Sequence, residues 1–168
     1  MTEYSGFIFN LRIVKLNHMR YIFSLLLLSV FLLSCAKKKA EKQAAEDATI
    51  IQNYIADNSL LANSTSSGLY YVRNVVGAGE SCNAFSTVTV AYKGYFTDGT
   101  VFDESPAEGI TFGLQNVIKG WTEGIPYFKT GGNGILLIPS ALGYGRSGRG
   151  SIPGNSVLIF DIELIEVL

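Results

Sequence analysis

Hydrophobic and polar residues alternate over the last hundred residues of the chain, in the manner of half-buried strands. One such run has apolar side chains at Val88, Val90 and Tyr92, separated by Thr89 and Ala91. A second run near the C-terminus places Asp161 and Glu163 on the face opposite its apolar residues, which are Leu158, Phe160, Ile162 and Leu164. The pair Asp98-Gly99 follows the first run and is a strong signal for a hairpin turn. The pattern therefore predicts antiparallel strands.

Helical periodicity is short in this region. Residues 119–125 can form about two turns, which end near Pro126 because proline lacks an amide hydrogen. Several strands with one short helix, and without the long spacing of βαβ units, predict an antiparallel α+β domain over residues 68–168.

A second helix is predicted over residues 40–57, ahead of this domain. Its apolar stripe consists of Ile50, Ile51, Tyr54 and Ile55, spaced by three and four residues. Two interpretations stay open: the stripe docks on the following domain, or it forms a dimerisation stalk. Residues 58–67 are rich in Asn, Ser and Thr and are predicted to be a linker.

The N-terminal region has the pattern of an export signal. Arg20 precedes an apolar run over residues 21–33, too short to span a bilayer comfortably, and Ser34-Cys35 follows. The ending Leu32-Leu33-Ser34-Cys35 resembles a bacterial lipobox, which implies an acylated Cys35. A retained signal anchor is the alternative. We predict a signal over residues 1–34 with its true start at Met19, and a lipid-anchored tether and helix over residues 35–67.

Composition excludes several classes of function. A net charge of -1 over 168 residues gives no electrostatic footprint for nucleic acid. The single histidine, His18, lies in the segment predicted to be removed, so neither a zinc site nor a Ser-His or Cys-His pair is expected. The glycine-rich run at residues 143–150 lacks the Gly-Lys-Ser/Thr ending of a phosphate loop. Cys82 has no partner for a disulfide if Cys35 carries lipid. We expect no cofactor and no metal.

Ordered motifs over the last hundred residues resemble those of the FKBP-type peptidyl-prolyl isomerases. They are Val88-x-Val90-x-Tyr92-x-Gly94, Asp98-Gly99-x-x-Phe102-Asp103, Val117-Ile118-x-Gly120-Trp121-x-x-Gly124, Ile138-Pro139, Gly143-Tyr144-Gly145, Ile152-Pro153 and Leu158-x-Phe160-Asp161-x-Glu163-Leu164. The resemblance implies a curved antiparallel sheet wrapped around one short helix, with an aromatic-lined hydrophobic pocket.

The resemblance also implies roles for individual residues. The residues expected to act in catalysis are Asp103, Trp121, Tyr144, Phe102 and Ile118. Those expected to line the substrate site are Tyr92, Phe112, Val117, Ile152 and Phe160. Trp121 is expected at the pocket floor, and the Ile118 N–H and the Tyr144 hydroxyl are expected to hydrogen-bond the bound peptide. Arg149 is expected at a loop tip over the pocket.

By this resemblance the chain is expected to isomerise X–Pro bonds in exported proteins, without covalent chemistry. The alternative is a non-catalytic FKBP-like peptide-binding or chaperone lipoprotein. Expected partners are proline-containing polypeptides, macrolide immunosuppressant-type inhibitors and the membrane that holds the lipid. Position 36, directly after Cys35, is Ala and not Asp. By resemblance to lipoprotein sorting, this favours an outer-membrane anchor with a periplasmic domain.

Overall fold

Seven strands and two α-helices follow one another in the part of the chain that this computed structural model describes, residues 37–168. Helix α1 covers residues 37–57 and helix α2 Lys119–Gly124. The strands are β1 Asn63–Ser64, β2 Tyr70–Val75, β3 Thr87–Tyr95, β4 Val101–Glu104, β5 Ile110–Gly113, β6 Gly132–Ile138 and β7 Leu158–Val167. The predicted signal over residues 1–34 and the predicted lipid site at Cys35 lie outside the described residues.

The strands form one antiparallel sheet in the order β1-β2-β6-β7-β3-β4, and β5 pairs with the first half of β3. Strand β7 is central: it pairs with β6 along one edge and with β3 along the other. The alternation predicted for β3 and β7 is confirmed. Val88 and Val90 of β3 are fully buried, as are Leu158 and Leu164 of β7, whereas Asp161 is exposed.

Helix α2 packs against one face of this sheet, where the main hydrophobic core lies. Two glycines permit its close approach to β6. A Cβ atom at Gly120 would lie 2.5 Å from Cγ2 of Ile138, and one at Gly124 would lie 2.7 Å from Cδ2 of Leu136. Both distances are shorter than any ordinary carbon contact, so a larger residue would push the helix away. The predicted fold class, an antiparallel sheet around one short helix, is confirmed.

Helix α1 supplies the second, smaller core. Ile51 is fully buried there and packs with Val72 of β2, Leu137 of β6 and Val157, which are also buried. Docking of the apolar stripe on the following domain is therefore confirmed for Ile51, whereas Ile50 is 39% exposed. Dimerisation stays a prediction.

Residues 43–168 form one compact unit. Residues 43–67 thus belong to the same unit as the predicted domain, and the predicted boundary at residue 68 stays a prediction. The predicted linker contains β1, whose residues pair with Tyr70 and Tyr71 at the outer edge of the sheet. Across residues 37–168, the helices are too short or too polar to traverse a lipid bilayer.

Candidate active site

An aromatic cluster surrounds Trp121, the aromatic residue of α2. The indole is only 5% exposed. Its centroid lies 4.8 Å from the ring of Tyr92, 5.1 Å from that of Phe160 and 5.2 Å from that of Phe112. The Tyr92 and Phe160 rings meet the indole edge to face, a favourable arrangement for the quadrupoles of aromatic rings. Strands β3, β5 and β7 each contribute one of these partners, so the sheet fixes the cluster.

The cluster forms the base of an open cavity of about 420 Å³. Its lining comprises Tyr92, Asp103, Ile110, Phe112, Asn116, Val117, Ile118, Trp121, Tyr144, Arg149 and Phe160. Most of these side chains are apolar, and a few polar groups stand among them. Such a composition is typical of a small-molecule or peptide site, where apolar walls give affinity and a few polar groups fix orientation.

Asp103 and Tyr92 form the polar contact at one side of this cavity. The Tyr92 hydroxyl donates a hydrogen bond of 2.8 Å to Oδ2 of Asp103. Burial, followed by this hydrogen bond and the nearby charge, raises the pKa of Tyr92 from 10.0 to about 12. The Tyr92 hydroxyl therefore stays protonated at neutral pH, and it orients the carboxylate of Asp103. The backbone of Tyr92 is fixed by Ser105, whose hydroxyl accepts a hydrogen bond from the Tyr92 N–H at 2.9 Å.

Ile118 lies where α2 begins. Its carbonyl accepts hydrogen bonds from the N–H groups of Trp121 and Thr122 at 2.9 and 3.2 Å. Its own N–H has no hydrogen-bond partner within residues 37–168. Thr122 further fixes this turn, because its hydroxyl donates to the Leu114 carbonyl at 2.6 Å. An unpaired donor beside the aromatic floor can bind a carbonyl oxygen of a ligand.

Tyr144 and Arg149 stand on the loop between β6 and β7. The Arg149 guanidinium lies 5.7 Å from the centroid of the Tyr144 ring, within the range of a cation–π contact. A second cavity of about 400 Å³ adjoins the first at this loop and shares Asp103, Tyr144 and Arg149 with it. It also contains Phe102 and Ile152.

The structure brings eight of the ten sequence-predicted pocket residues into the lining of the first cavity. They are Tyr92, Asp103, Phe112, Val117, Ile118, Trp121, Tyr144 and Phe160. Phe102 and Ile152 line the adjoining cavity instead, although the Phe102 ring still packs edge to face on Phe160 at 5.5 Å.

Two lining residues were missed by the sequence reasoning, Ile110 and Asn116. Ile110 lies two residues before Phe112 in β5 and therefore projects from the same face of the strand. A period-two interpretation of β5 would have found it. Asn116 directly precedes Val117, and no pattern in the sequence marks it.

Across the described residues 37–168, no three side chains of the metal-ligating kind gather closely enough to hold a metal ion. Cys82, the free thiol of this region, is partly buried, and burial raises its pKa. It therefore lacks the thiolate character of a nucleophile.

Comparison with known proteins identifies the class that this fold and cavity define. The family model of FKBP-type peptidyl-prolyl cis-trans isomerases matches residues 79–165. Because this match covers more than half of the chain, the chain belongs to that family.

Particular relatives agree with this assignment. The FKBP-type peptidyl-prolyl cis-trans isomerase FkpA of Aeromonas hydrophila is 43% identical over 135 residues, which cover 78% of this chain and 50% of the relative. FkpA of Escherichia coli is 41% identical over 140 residues, covering 80% of this chain and 51% of the relative. The chain thus spans about half the length of these curated relatives.

Solved structures show the same architecture. The crystal structure of FkpA from Escherichia coli has a TM-score of 0.66 and 38% identity, and covers 86% of this chain and 70% of its own. A peptidyl-prolyl cis-trans isomerase from Pseudomonas syringae has a TM-score of 0.66 and 32% identity, with 76% and 94% covered.

Proposed function

We propose that this chain accelerates the cis–trans rotation of X–Pro peptide bonds in exported polypeptides. The observation that carries the proposal is the aromatic cavity with Trp121 at its base, in a chain of the FKBP-type family. The cavity offers an apolar surface for a proline ring and few polar groups for its flanking backbone.

Such a cavity can act on a peptide bond without a nucleophile. Rotation about the bond is opposed by about 18–20 kcal/mol because the C–N bond has partial double-bond character. At mid-rotation this resonance is lost and the amide dipole falls, so the twisted state depends less on water than either planar state does. An apolar aromatic pocket therefore binds the twisted state preferentially, which is the requirement for catalysis. Lowering the barrier by about 4 kcal/mol accelerates rotation roughly a thousandfold.

Polar groups at the cavity would hold the peptide while its proline turns. The unpaired Ile118 N–H can donate to a peptide carbonyl, and the Tyr144 hydroxyl forms no hydrogen bond within the described residues and is equally available. The hydrogen bond between Tyr92 and Asp103 keeps the Asp103 carboxylate in a fixed orientation at the cavity wall. Fixed polar partners on one side of the bond confine the rotation to the other side.

The test is NMR exchange spectroscopy of cis and trans X–Pro peptides with the full chain and with Trp121→Ala, Asp103→Ala and Tyr144→Phe. The wild type should raise the exchange rate. Trp121→Ala and Asp103→Ala should each reduce kcat/KM by about tenfold or more. Tyr95→Phe is a matched control for Tyr144→Phe, since the Tyr95 hydroxyl bonds Asp161 outside the cavity.

A folded wild-type chain that leaves the exchange rate unchanged, across several residues before proline, would refute the isomerase proposal. Peptide binding without acceleration would instead indicate the alternative function, a peptide-binding or chaperone module. Equal losses for Tyr95→Phe and Tyr144→Phe would remove Tyr144 from the site.

We further propose that the chain is an exported lipoprotein whose domain is tethered through Cys35. The sequence pattern from Arg20 to Cys35 supports this proposal. Cys35→Ser should abolish incorporation of labelled palmitate and move the protein from the membrane to the soluble fraction of cells. Labelling that persists in Cys35→Ser would contradict it. Mass-spectrometric detection of peptides from residues 1–18 would refute a start at Met19.

The same cavity is our proposed site for macrolide immunosuppressant-type inhibitors. Its aromatic base and open mouth suit a bulky apolar ligand with a planar amide. Competition between such a macrolide and an X–Pro peptide, measured by NMR line broadening, should be lost in Trp121→Ala. Undiminished macrolide binding by this variant would place the ligand elsewhere.

A further inference from the structure

A buried carboxylate outside the cavity, that of Asp47 in α1, is not explained by the proposed catalysis. Asp47 is fully buried, and Ser140 is the other buried polar residue of the described chain, at 2% exposed. Burial of a charged group is costly unless the group is hydrogen-bonded. Its presence here therefore requires a structural or functional reason.

The partners of Asp47 provide that reason. Its Oδ2 accepts hydrogen bonds from the Ser140 N–H at 2.8 Å and from the Ser140 hydroxyl at 2.6 Å. Its Oδ1 accepts from the Gln43 side chain at 2.8 Å. A carboxylate bound twice to one residue fixes both the position and the orientation of that residue, since hydrogen bonds to ionised acceptors are short and strong.

Ser140 is in turn the base of the loop that carries Tyr144. The Ser140 carbonyl accepts hydrogen bonds from the N–H of Gly143 at 3.1 Å and from that of Gly145 at 2.8 Å. These two amides flank Tyr144 directly in the chain. The Gly145 carbonyl then accepts from the Asn155 N–H at 2.8 Å, which connects the residue after Tyr144 to the part of the loop just before β7.

A continuous path of hydrogen bonds thus leads from α1 to the cavity wall, and it passes from Asp47 through Ser140 to the backbone around Tyr144. The position of Asp47 in this path is itself fixed, because Ile51 lies one turn after Asp47 in α1 and is fully buried in the second core. Asp47 belongs to the same docked stripe of α1, by its spacing of four residues.

We propose that Asp47 is a positioning residue for the cavity, which sets the Tyr144 loop through Ser140. This inference rests on the proposed isomerase function. Helix α1 therefore contributes to the geometry of a site that it does not touch, and loss of the Asp47 carboxylate should loosen the loop while the aromatic cluster around Trp121 stays intact.

The test measures kcat and KM of the full chain by NMR exchange for Asp47→Ala, Asp47→Asn and Ser140→Ala, at a temperature where each variant is folded. Asp47→Ala should lower kcat/KM about tenfold, within the range that a small displacement of a binding group produces. Asp47→Asn should recover part of this loss, because its amide oxygen can still accept from the Ser140 N–H. Ser140→Ala, which keeps the backbone N–H bond, should lose less than Asp47→Ala.

The matched control is Ile51→Val, which weakens the docking of the same helix and leaves Asp47 and Ser140 in place. It should lower the unfolding midpoint and keep kcat/KM within about twofold of the wild type, as expected for a site that it does not contact. Amide hydrogen exchange adds an independent measure. Asp47→Ala should speed the exchange of the Gly143 and Gly145 amides, whereas Leu137 in β6 should keep its protection.

Two results would overturn the inference: wild-type kcat/KM in Asp47→Ala, or an equal loss in Ile51→Val. If Asp47→Ala does not fold, Asp47→Asn and Ser140→Ala decide, and unchanged kcat/KM and unchanged exchange of the two glycine amides in both would overturn it. A wild-type chain without isomerase activity would refute the proposed function, and the exchange measurement would still show whether Asp47 holds the loop.

Discussion

Replacing Gly94 with alanine should displace the aromatic rings that pack against the base of the cavity. Gly94 lies in β3, opposite Asp103 of β4 on one side and opposite Phe160 of β7 on the other. A Cβ atom at this position would lie 2.6 Å from Cε2 of Phe102 and 2.7 Å from Cε1 of Phe160. Because carbon atoms pack at about 3.5–4.0 Å, both rings, or the backbone of β3, must move by roughly 1 Å.

The cost of this movement can be bounded. Overpacking of a well-packed core costs about 1–3 kcal/mol. Replacing glycine restricts the unfolded chain and returns about 0.4–1 kcal/mol. The net loss in the free energy of unfolding is therefore bounded between about 0 and 2.6 kcal/mol, and we expect a value of about 1–2 kcal/mol.

Activity should fall as well, since the Phe160 ring contacts Trp121 at a centroid distance of 5.1 Å. Displacement of the Phe160 ring narrows the cavity and tilts its base. We expect a decrease in kcat/KM of about tenfold.

Gly99→Ala provides the control for this prediction. Gly99 has a φ of 84° in the hairpin after β3, and a Cβ atom there would contact nothing within 4 Å. The left-handed backbone costs about 1–2 kcal/mol for alanine, so stability should fall similarly while kcat/KM stays unchanged. The assays are urea unfolding and NMR exchange of an X–Pro peptide. Wild-type activity and stability in Gly94→Ala, or an equal loss of activity in Gly99→Ala, would refute the reasoning.

Three further predictions concern the cavity side chains. Trp121→Ala should lower the free energy of unfolding by about 3–5 kcal/mol. Trp121→Phe should cost less than about 2 kcal/mol, because the buried indole N–H has no acceptor within residues 37–168 and no hydrogen bond is lost. Equal losses for the two variants in urea unfolding would contradict this prediction. The folded chain binds the Tyr92 proton more tightly than the unfolded chain, since the pKa rises from 10.0 to about 12. The contribution of Tyr92 to the free energy of unfolding should therefore be fully present below pH 10 and decrease between pH 10 and 12. The free energy of unfolding should decrease less steeply in Tyr92→Phe, and identical slopes for the two proteins would refute the assignment of this decrease to Tyr92. Asp103→Asn keeps an acceptor for the Tyr92 hydroxyl and should retain more kcat/KM than Asp103→Ala; equal activities would show that the hydrogen bond is not what matters.

Much of this architecture could be predicted from local pattern. Strands β3 and β7 each have one face that is more buried than the other over most of their length, so their period of two can be recognised in the sequence. The hairpin at Asp98-Gly99 and the short helix ended near Pro126 follow from backbone chemistry alone. The cavity residues were predicted from the resemblance of ordered motifs to those of a known family, and not from the alternation of polar and apolar residues.

What could not be predicted depends on contacts between distant residues. Asp47 and Ser140 are 93 positions apart, and each is unremarkable in its own segment, an exposed-looking helix and a loop. Strand β5 has only four residues, Ile110–Gly113, so its alternation is too short to stand out as that of β3 does. Ile110 was missed for that reason. Motif order could not show that Phe102 lines the adjoining cavity, because it does not determine on which side of an aromatic ring a cavity opens.

The central place of β7 in the sheet constrains when this protein can fold, and this matters under the export that we propose. Strand β3 is made about sixty residues before the partner that covers its long edge, and β6 waits for the same partner. A chain that emerges from a membrane channel with its N-terminus first therefore cannot close its sheet until residues 158–167 have come through. Until then Trp121 lacks the Phe160 wall, and the edges of β3 and β6 are open to other strands. Under the proposed export, the sheet is thus completed only after passage, and the chain must be kept from aggregating until then.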